Sequence, residues 1–193
     1  DVGLPAALEF GSAFALGDDG RIWTTITRGK DELDPRAQMT GLAVWDGADW
    51  ATLEADVPVP GLPAAMLVDS DEGVWVVTQG FRDNERTSWI GRWDGSAWAA
   101  FGPLTVPRTG YAPGGLINEA PNGSVWFGPL TYWDGADVRE VELAEMRVRA
   151  NRDLRAFSFG PDGSVWVVIS EPREPQTLGE PSFYVITPEA VAQ

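Results

Sequence analysis

The side chains in this sequence that could take part in chemistry are carboxylates, arginines, tyrosines and a single lysine, Lys30, because the 193 residues include no histidine and no cysteine. The commonest general base, the commonest zinc ligand and the thiolate nucleophile are therefore missing. The sequence also lacks the glycine-containing motifs of serine hydrolases, P-loop proteins and dinucleotide-binding enzymes. We therefore expect that the protein is not an enzyme.

Arginine is the residue type best suited to recognise a ligand here, because a guanidinium donates paired hydrogen bonds to carboxylates or peptide groups. Most basic side chains lie in long irregular segments, at residues 28–41, 79–88, 103–114, 143–153 and 170–181. Binding residues lie disproportionately on loops carried by a rigid scaffold. The alternative is that these arginines are solvated charges paired with neighbouring acids. Our candidate ligand-binding residues are Arg82, Arg86, Arg108, Tyr111, Arg149 and Arg173.

Acidic residues concentrate in short turns, such as Asp18-Asp19, Asp71-Glu72 and Asp162. Carboxylates in such turns could bind calcium, and two carboxylates brought together in a cleft could hydrolyse a glycoside. The spacing of a calcium-binding loop occurs in no segment, and residues 68–73 come nearest to it. We therefore predict turn-forming acids with neither a metal nor a cofactor, and keep a carboxylate-based hydrolase as a less favoured alternative.

The net charge of −15 argues against a nucleic-acid partner, because phosphate binding depends on an excess of Lys and Arg. It also argues against binding to anionic membrane surfaces. No apolar run reaches the roughly 20 residues of a membrane-spanning helix. We expect no membrane insertion of this segment, and any tethering would come through flanking sequence.

Two short motifs alternate along the chain and indicate which elements carry these side chains. Trp-Asp-Gly occurs at residues 45–47, 93–95 and 133–135, and Thr187-Pro188 takes its place in the last unit. An Asp-Gly-type turn followed by an apolar residue and tryptophan precedes each of them, as GDDGRIW (17–23), SDEGVW (70–75), APNGSVW (120–126) and GPDGSVW (160–166). Such turns between runs of β-branched and aromatic residues are typical of hairpins. A period of about 40–50 residues is typical of propeller blades with four strands each.

The sequence therefore predicts an all-β fold, a β-propeller of about four four-stranded blades. We expect one domain, 1–193, with blades at about 8–54, 62–102, 113–143 and 153–193. Residues 1–4 are the candidate for the missing outermost strand of the last blade. A closed four-bladed ring is our first choice. Part of a larger propeller, or a half-propeller completed by a partner, is the alternative.

The tryptophans of the repeat have two interpretations. Because they recur in register, we favour packing between neighbouring sheets, where each ring buries roughly 150–250 Å². The alternative is a sugar-binding cluster, which would leave Trp50 and Trp98 exposed in equivalent pockets.

The alternation of PDGSVWVV (161–168) with WDGSAWAAF (93–101) resembles the repeats of bacterial sensor-type β-propellers. These include two-component regulator propellers and the extracellular regions of actinobacterial membrane kinases. The Trp-Asp-Gly-x-x-Trp piece is also similar to fucose-binding propeller lectins, but their recurring arginine is absent, since Arg92 has no counterpart at Val44 or Tyr132.

The first resemblance implies a binding or sensor module that is extracellular or on the cell surface. We expect it to recognise a protein or peptide partner, or a glycan, with the long irregular segments. A carbohydrate-binding lectin is the alternative function.

Overall fold

The computed structural model describes residues 10–28, 38–53, 56–82, 85–105, 117–128, 131–141, 153–170 and 181–187. Every regular element in these ranges is a β-strand. The chain forms two compact units, residues 1–105 and 106–193, and each contains two antiparallel sheets.

The first unit contains sheets 1 and 2, each built from four strands that pair in chain order. Both sheets are therefore meanders in which each strand pairs with its neighbour in sequence. The strands of sheet 1 are β1 (Phe10–Leu16), β2 (Ile22–Arg28), β3 (Gln38–Trp45) and β4 (Trp50–Leu53). Those of sheet 2 are β5 (Leu62–Val68), β6 (Val74–Arg82), β7 (Glu85–Trp93) and β8 (Trp98–Thr105).

The second unit contains sheets 3 and 4, which have the same antiparallel order. The strands of sheet 3 are β9 (Ile117–Glu119), β10 (Val125–Phe127), β11 (Thr131–Trp133) and β12 (Val138–Glu140). Those of sheet 4 are β13 (Asp153–Phe159), β14 (Val165–Ser170) and β15 (Pro181–Ile186). Residues 1–4, the candidate for a fourth strand here, lie outside the described residues.

The Trp-Asp-Gly turns join the third and fourth strands of sheets 1 to 3 by one arrangement of hydrogen bonds. The Oδ1 atom of Asp46 accepts hydrogen bonds from the amides of Ala48 and Asp49, both at 2.9 Å. Asp94 and Asp134 accept the equivalent pairs of amides. The glycine that follows each aspartate has a positive φ, near 100°. The prediction of hairpin turns with turn-forming acids is therefore confirmed for this motif.

Each unit has a core between its two sheets. In the first unit, Trp23 of β2 belongs to a buried cluster with Val74 and Val76 of β6. In the second unit, Trp126 of β10 belongs to the corresponding cluster with Val165 and Val167 of β14. Trp23 and Trp126 thus pack against the valine face of the next sheet, which is the packing role predicted for the tryptophans of the repeat. Trp166 of β14 departs from this prediction, because it is 49% exposed.

The structure confirms the all-β class and the repetition of antiparallel meanders. The assignment of residues 1–193 to one domain stays a prediction, as does ring closure through residues 1–4.

One predicted loop is wrong: the segment 79–88 is mostly strand, because β6 and β7 remain paired as far as Arg82 and Glu85. Thr78, Phe81 and Thr87 suit a strand. The pairing leaves only residues 83–84, which lie outside the described ones, as the connection.

Candidate functional site

The candidate site is built on the turn that joins the first and second strands of each sheet, hereafter the first turn. One backbone hydrogen bond recurs in all four first turns, from the amides of Gly17, Asp69, Ala120 and Gly160 to the carbonyls of Arg21, Gly73, Ser124 and Ser164. The two residues after each of these carbonyl positions are an apolar residue and the motif tryptophan, namely Trp23, Trp75, Trp126 or Trp166. The four turns can therefore be compared position by position.

In the first unit, arginine covers the motif tryptophan of sheet 1. The Arg21 guanidinium lies 5.7 Å from the centre of the Trp23 ring. It pairs with Asp19 of its own turn, and its Nη2 atom lies 3.5 Å from Oε2 of Glu72 in the first turn of sheet 2. The amide and the guanidinium of Arg21 hold the pKa of Asp19 below its usual range. Arg21 thus spans the gap between the two neighbouring turns.

A second arginine covers the motif tryptophan of sheet 2. The Arg92 guanidinium lies 5.4 Å from the centre of the Trp75 ring, and its Nη2 atom donates to Oδ2 of Asp69 at 3.0 Å. The indole Nε1 of Trp75 donates to the same oxygen at 2.7 Å. Asp69 is buried, and its Oδ1 atom accepts the amides of Asp71 and Gly73. A buried carboxylate is tolerated here because both of its oxygens are hydrogen-bonded.

This cluster explains why the first turn of sheet 2 departs from the others. A Cβ atom on Gly73 would lie 2.6 Å from Nη2 of Arg92 and 2.7 Å from Oδ2 of Asp69. A side chain at position 73 would therefore displace the Arg92 and Asp69 side chains, which favours glycine here, one residue later than in the other turns. The left-handed position, which is glycine elsewhere, is held by Glu72 with φ of 63°.

Sheet 3 of the second unit uses neutral groups at the same positions. Tyr132 stacks on Trp126 with ring centres 4.8 Å apart, and Phe159 of β13 meets the same indole edge-on at 5.7 Å. The indole Nε1 of Trp126 donates to the hydroxyl of Ser124 at 3.0 Å. The Ser124 hydroxyl and amide both donate to Oδ1 of Asn122. The polar atoms beneath the turn are thereby satisfied without an ion pair.

An open groove with a volume of about 450 Å³ lies above this aromatic cluster, between the first turns of sheets 3 and 4. Its walls come from the two turns and its floor from three aromatic rings. The lining residues are Ala120, Pro121, Asn122, Ser124, Trp126, Tyr132, Phe159, Pro161, Asp162 and Gly163. Hereafter this feature is the groove.

The groove is open because two bridging side chains of the first unit have small counterparts in the second. Ser124 stands where Arg21 stands in sheet 1, and Gly163 stands where Glu72 stands in sheet 2. The floor is more aromatic as well, since Tyr132 replaces Val44 opposite the motif tryptophan. The second unit thus has an aromatic cleft at the place where the first unit has an ion pair.

Asp162 gives the groove its charge. The hydroxyl of Ser164 and then its amide donate to Oδ1 of Asp162, and these bonds hold the pKa of Asp162 below its ordinary value. The carboxylate is therefore ionised at neutral pH. Together with the π faces of Tyr132 and Phe159, it favours a ligand that is neutral or cationic.

The groove is not where the sequence placed the binding surface. Arg82 and Arg86 lie in the paired ends of β6 and β7, and the placement of their side chains lies outside the described part of the structure. Arg108, Tyr111, Arg149 and Arg173 lie outside the described residues. The long-segment binding surface therefore stays a prediction. Tyr132 and Phe159 were missed in the sequence analysis, and Asp162 was assigned only the role of a turn-forming acid. Their signal was the loss of arginine at position 124 relative to position 21.

The tryptophans that follow the Trp-Asp-Gly turns do not form the exposed pockets that a lectin would need. Trp50 and Trp98 are each half-buried, and each packs against the tryptophan that opens its turn, Trp45 or Trp93, at 5.8 Å. Trp98 also packs against the core of the first unit. The lectin alternative is therefore not favoured.

Within the described ranges, no group of three or more acidic side chains could hold a metal ion. In the same part of the chain, no helix has the length and apolar character to cross a membrane.

Comparison with known proteins places the fold. No family model matches the sequence, and no curated protein matches it. Among solved structures, a catalytically inactive variant of virginiamycin B lyase from Staphylococcus aureus, with quinupristin, is 19% identical with a TM-score of 0.56. That match covers 96% of this chain and 59% of the lyase, so the chain spans less than two thirds of that protein.

Two further matches are weaker. YCF48 bound to D1 peptide is 15% identical with a TM-score of 0.42, over 92% of this chain and 68% of that one. A structure from a family of mannoside phosphorylases, described as containing glycoside hydrolases that target β-1,2-mannosidic linkages in Candida mannan, is 10% identical with a TM-score of 0.42. It covers 86% of this chain and 61% of that one.

The prediction that the chain is not an enzyme, which rests on the missing histidine, cysteine and enzyme motifs, is wrong, because a lyase shares this architecture over nearly the whole chain. At 19% identity the likeness shows the fold alone. What the comparison does establish is the architecture: these repeated antiparallel sheets are β-propeller blades.

Proposed function

We propose that this chain is the ligand-binding part of an extracytoplasmic β-propeller sensor or interaction protein, and that the groove is its binding site. The groove carries the proposal. Its volume of about 450 Å³ falls within the roughly 300–1,000 Å³ of ligand pockets. Its lining also has the usual composition of such sites, with apolar and aromatic walls and a few polar groups.

The comparison between the two units supports the interpretation of the groove as a binding site rather than as a packing defect. The first unit fills the equivalent space with Arg21, which contacts Asp19 and Glu72. The second unit keeps the surrounding polar groups satisfied, because Ser124 and Ser164 donate to Asn122 and Asp162. The cleft is thus open without leaving these side chains unpaired. The extracytoplasmic location rests on the resemblance of the repeats to those of bacterial sensor propellers.

The test is a thermal-shift screen with sugars, cell-wall fragments, peptides and amino acids. At a hundredfold excess over Kd, a ligand stabilises the folded state by about 2.7 kcal/mol, which for a chain of this size raises Tm by roughly 5–10 °C. The screen is run on the wild type and on Ser124→Arg, which places an arginine where sheet 1 already has one. The matched control is Thr52→Arg, which adds the same side chain at an exposed position of β4.

A ligand that shifts the wild type and Thr52→Arg, but not Ser124→Arg, would support the groove. A ligand that shifts all three, but is lost in Arg82→Ala/Arg86→Ala, would refute the groove and restore the surface predicted from the sequence. The absence of any shift at millimolar ligand would count against a small-ligand function.

A further inference from the structure

The first unit indicates which chemistry the groove would accept, because the same arrangement of groups occurs there twice. Arg21 lies over Trp23 and pairs with Asp19, and Arg92 lies over Trp75 and pairs with Asp69. In both cases a guanidinium lies on the face of a motif tryptophan and donates to a carboxylate. Arginine suits such a place because its planar group stacks on aromatic rings while it forms directed hydrogen bonds.

The second unit has no arginine at the equivalent positions, and it presents aromatic rings and one carboxylate to the groove. That carboxylate, Asp162, belongs to the neighbouring turn of sheet 4, because Asn122 and Ala120 stand where Asp19 and Asp69 stand in the first unit. Ser124 and Tyr132 stand where Arg21 and Arg92 stand in the first unit. The Asp162 carboxylate lines the groove beside the half-buried rings of Tyr132 and Phe159. Both hydrogen bonds from Ser164 end on Oδ1 of Asp162, so its Oδ2 atom can accept a ligand donor.

We propose that the groove binds an arginine side chain of a cationic peptide segment, with the guanidinium against Tyr132 and Phe159 and hydrogen-bonded to Asp162. This inference rests on the proposed function and names its ligand class. The volume of about 450 Å³ exceeds what the few atoms of a guanidinium fill, which leaves room for neighbouring peptide residues between Pro121 and Pro161. The net charge of −15 attracts a cationic segment from a distance.

Lysine is a poorer match to this site. Its ammonium group is a compact and strongly hydrated charge, whereas the guanidinium is planar and more weakly hydrated. Citrulline keeps the planar shape and loses the charge. Three peptides of the form acetyl-Gly-X-Gly-amide, in which X is arginine, lysine or citrulline, therefore separate the contribution of charge from that of shape.

The experiment is a titration of these peptides against the whole chain, followed by isothermal calorimetry and by the NMR shifts of the tryptophan indole protons. We expect the arginine peptide to bind about tenfold more tightly than either analogue, because it alone combines stacking with charge-assisted hydrogen bonds. Asp162→Asn should weaken its binding about tenfold. Its matched control, Asp134→Asn, removes one carboxylate from an exposed turn outside the groove and should leave the affinity unchanged.

Ser124→Arg should abolish binding and Thr52→Arg should preserve it. Equal affinity for the citrulline peptide, or equal weakening by Asp134→Asn and Asp162→Asn, would overturn the inference. So would equal affinity for free arginine amide, since no peptide would then be needed. If the arginine peptide fails while another ligand is blocked by Ser124→Arg, the inference falls and the proposed function stands. If Ser124→Arg blocks no ligand at all, both are wrong.

Discussion

Replacing Arg92 by tyrosine should destabilise the first unit, because it leaves the Asp69 carboxylate buried without its cation. Nη2 and Nε of Arg92 donate to Oδ2 of Asp69 at 3.0 and 3.2 Å, and the side chain of Asp69 is only 4% exposed. Removing one partner of a buried ion pair costs about 3–5 kcal/mol. Arg92 is 19% exposed and Trp75 still donates to the same oxygen, so we expect a smaller loss, about 2–3 kcal/mol.

A triple variant provides the matched comparison, because sheet 3 shows a neutral solution at the same positions. Asp69→Ala/Gly73→Ser/Arg92→Tyr reproduces the set Ala120, Ser124 and Tyr132. There the motif indole donates to a serine hydroxyl at 3.0 Å and stacks on a tyrosine at 4.8 Å. Replacing a buried ion pair by well-packed groups of similar size is often neutral. The triple variant should therefore recover most of the stability lost in Arg92→Tyr.

The assay is urea unfolding of the wild type and both variants, followed by tryptophan fluorescence and far-UV circular dichroism and extrapolated to zero denaturant. The reasoning is refuted if Arg92→Tyr lies within about 0.5 kcal/mol of the wild type, the usual range for surface substitutions. It is also refuted if the triple variant is no more stable than Arg92→Tyr, because charge burial would then not be the cause.

Three further predictions concern the turns and the tryptophans. The amide of Asp137, the Arg139 guanidinium and the amide of Ala136 lower the pKa of Asp134 to about 2. Since the pKa of an unfolded aspartate is about 3.9, ionised Asp134 stabilises the fold fully above about pH 3.9. This stabilisation is lost as the pH falls towards about 2. Thermal melts between pH 7 and 2 should show Tm falling across this window, less steeply in Asp134→Asn; an equal slope contradicts the assignment. Glu72→Gly should raise the free energy of unfolding by up to about 1 kcal/mol. Glycine relieves the strain of a left-handed backbone at this position, and only an exposed ion pair is lost. If urea unfolding shows that the variant is less stable than the wild type, the backbone at position 72 is not strained. Trp166 is 49% exposed whereas Trp126 is 3% exposed. Trp166→Phe should therefore reduce the quenching of tryptophan fluorescence by acrylamide. Unchanged quenching would mean that Trp166 is shielded from solvent.

The sheets could be predicted from the sequence because their turns are local. Asp46, Asp94 and Asp134 each accept hydrogen bonds from amides two and three residues ahead, so a three-residue motif defines each turn. The length of β6 and β7 could not be predicted in this way, since it depends on pairing across the hairpin. The polar residues at their ends favour a loop when only the sequence is considered.

The groove depends on residues distant in sequence, which explains why it was not predicted. It forms because Ser124 and Gly163, in the turns of two different sheets, are both small. Their significance appears only when they are compared with Arg21 and Glu72, which meet at 3.5 Å across the equivalent gap. The burial of Asp69 is similar, because its cation lies 23 residues further along the chain.

The close contacts at position 73 also limit the paths by which this repeat could have diverged. A side chain at position 73 would disturb the Asp69–Arg92 pair, since a Cβ there would lie within 2.8 Å of three of their atoms. A copy of the repeat with serine at this position, as at Ser124 and Ser164, would have to lose that side chain to form the ion pair in this geometry. The effect of each substitution on stability thus depends on which of the other substitutions is already present. Copies of one repeat can therefore keep the same fold although a single residue from one copy no longer fits at the equivalent position of another.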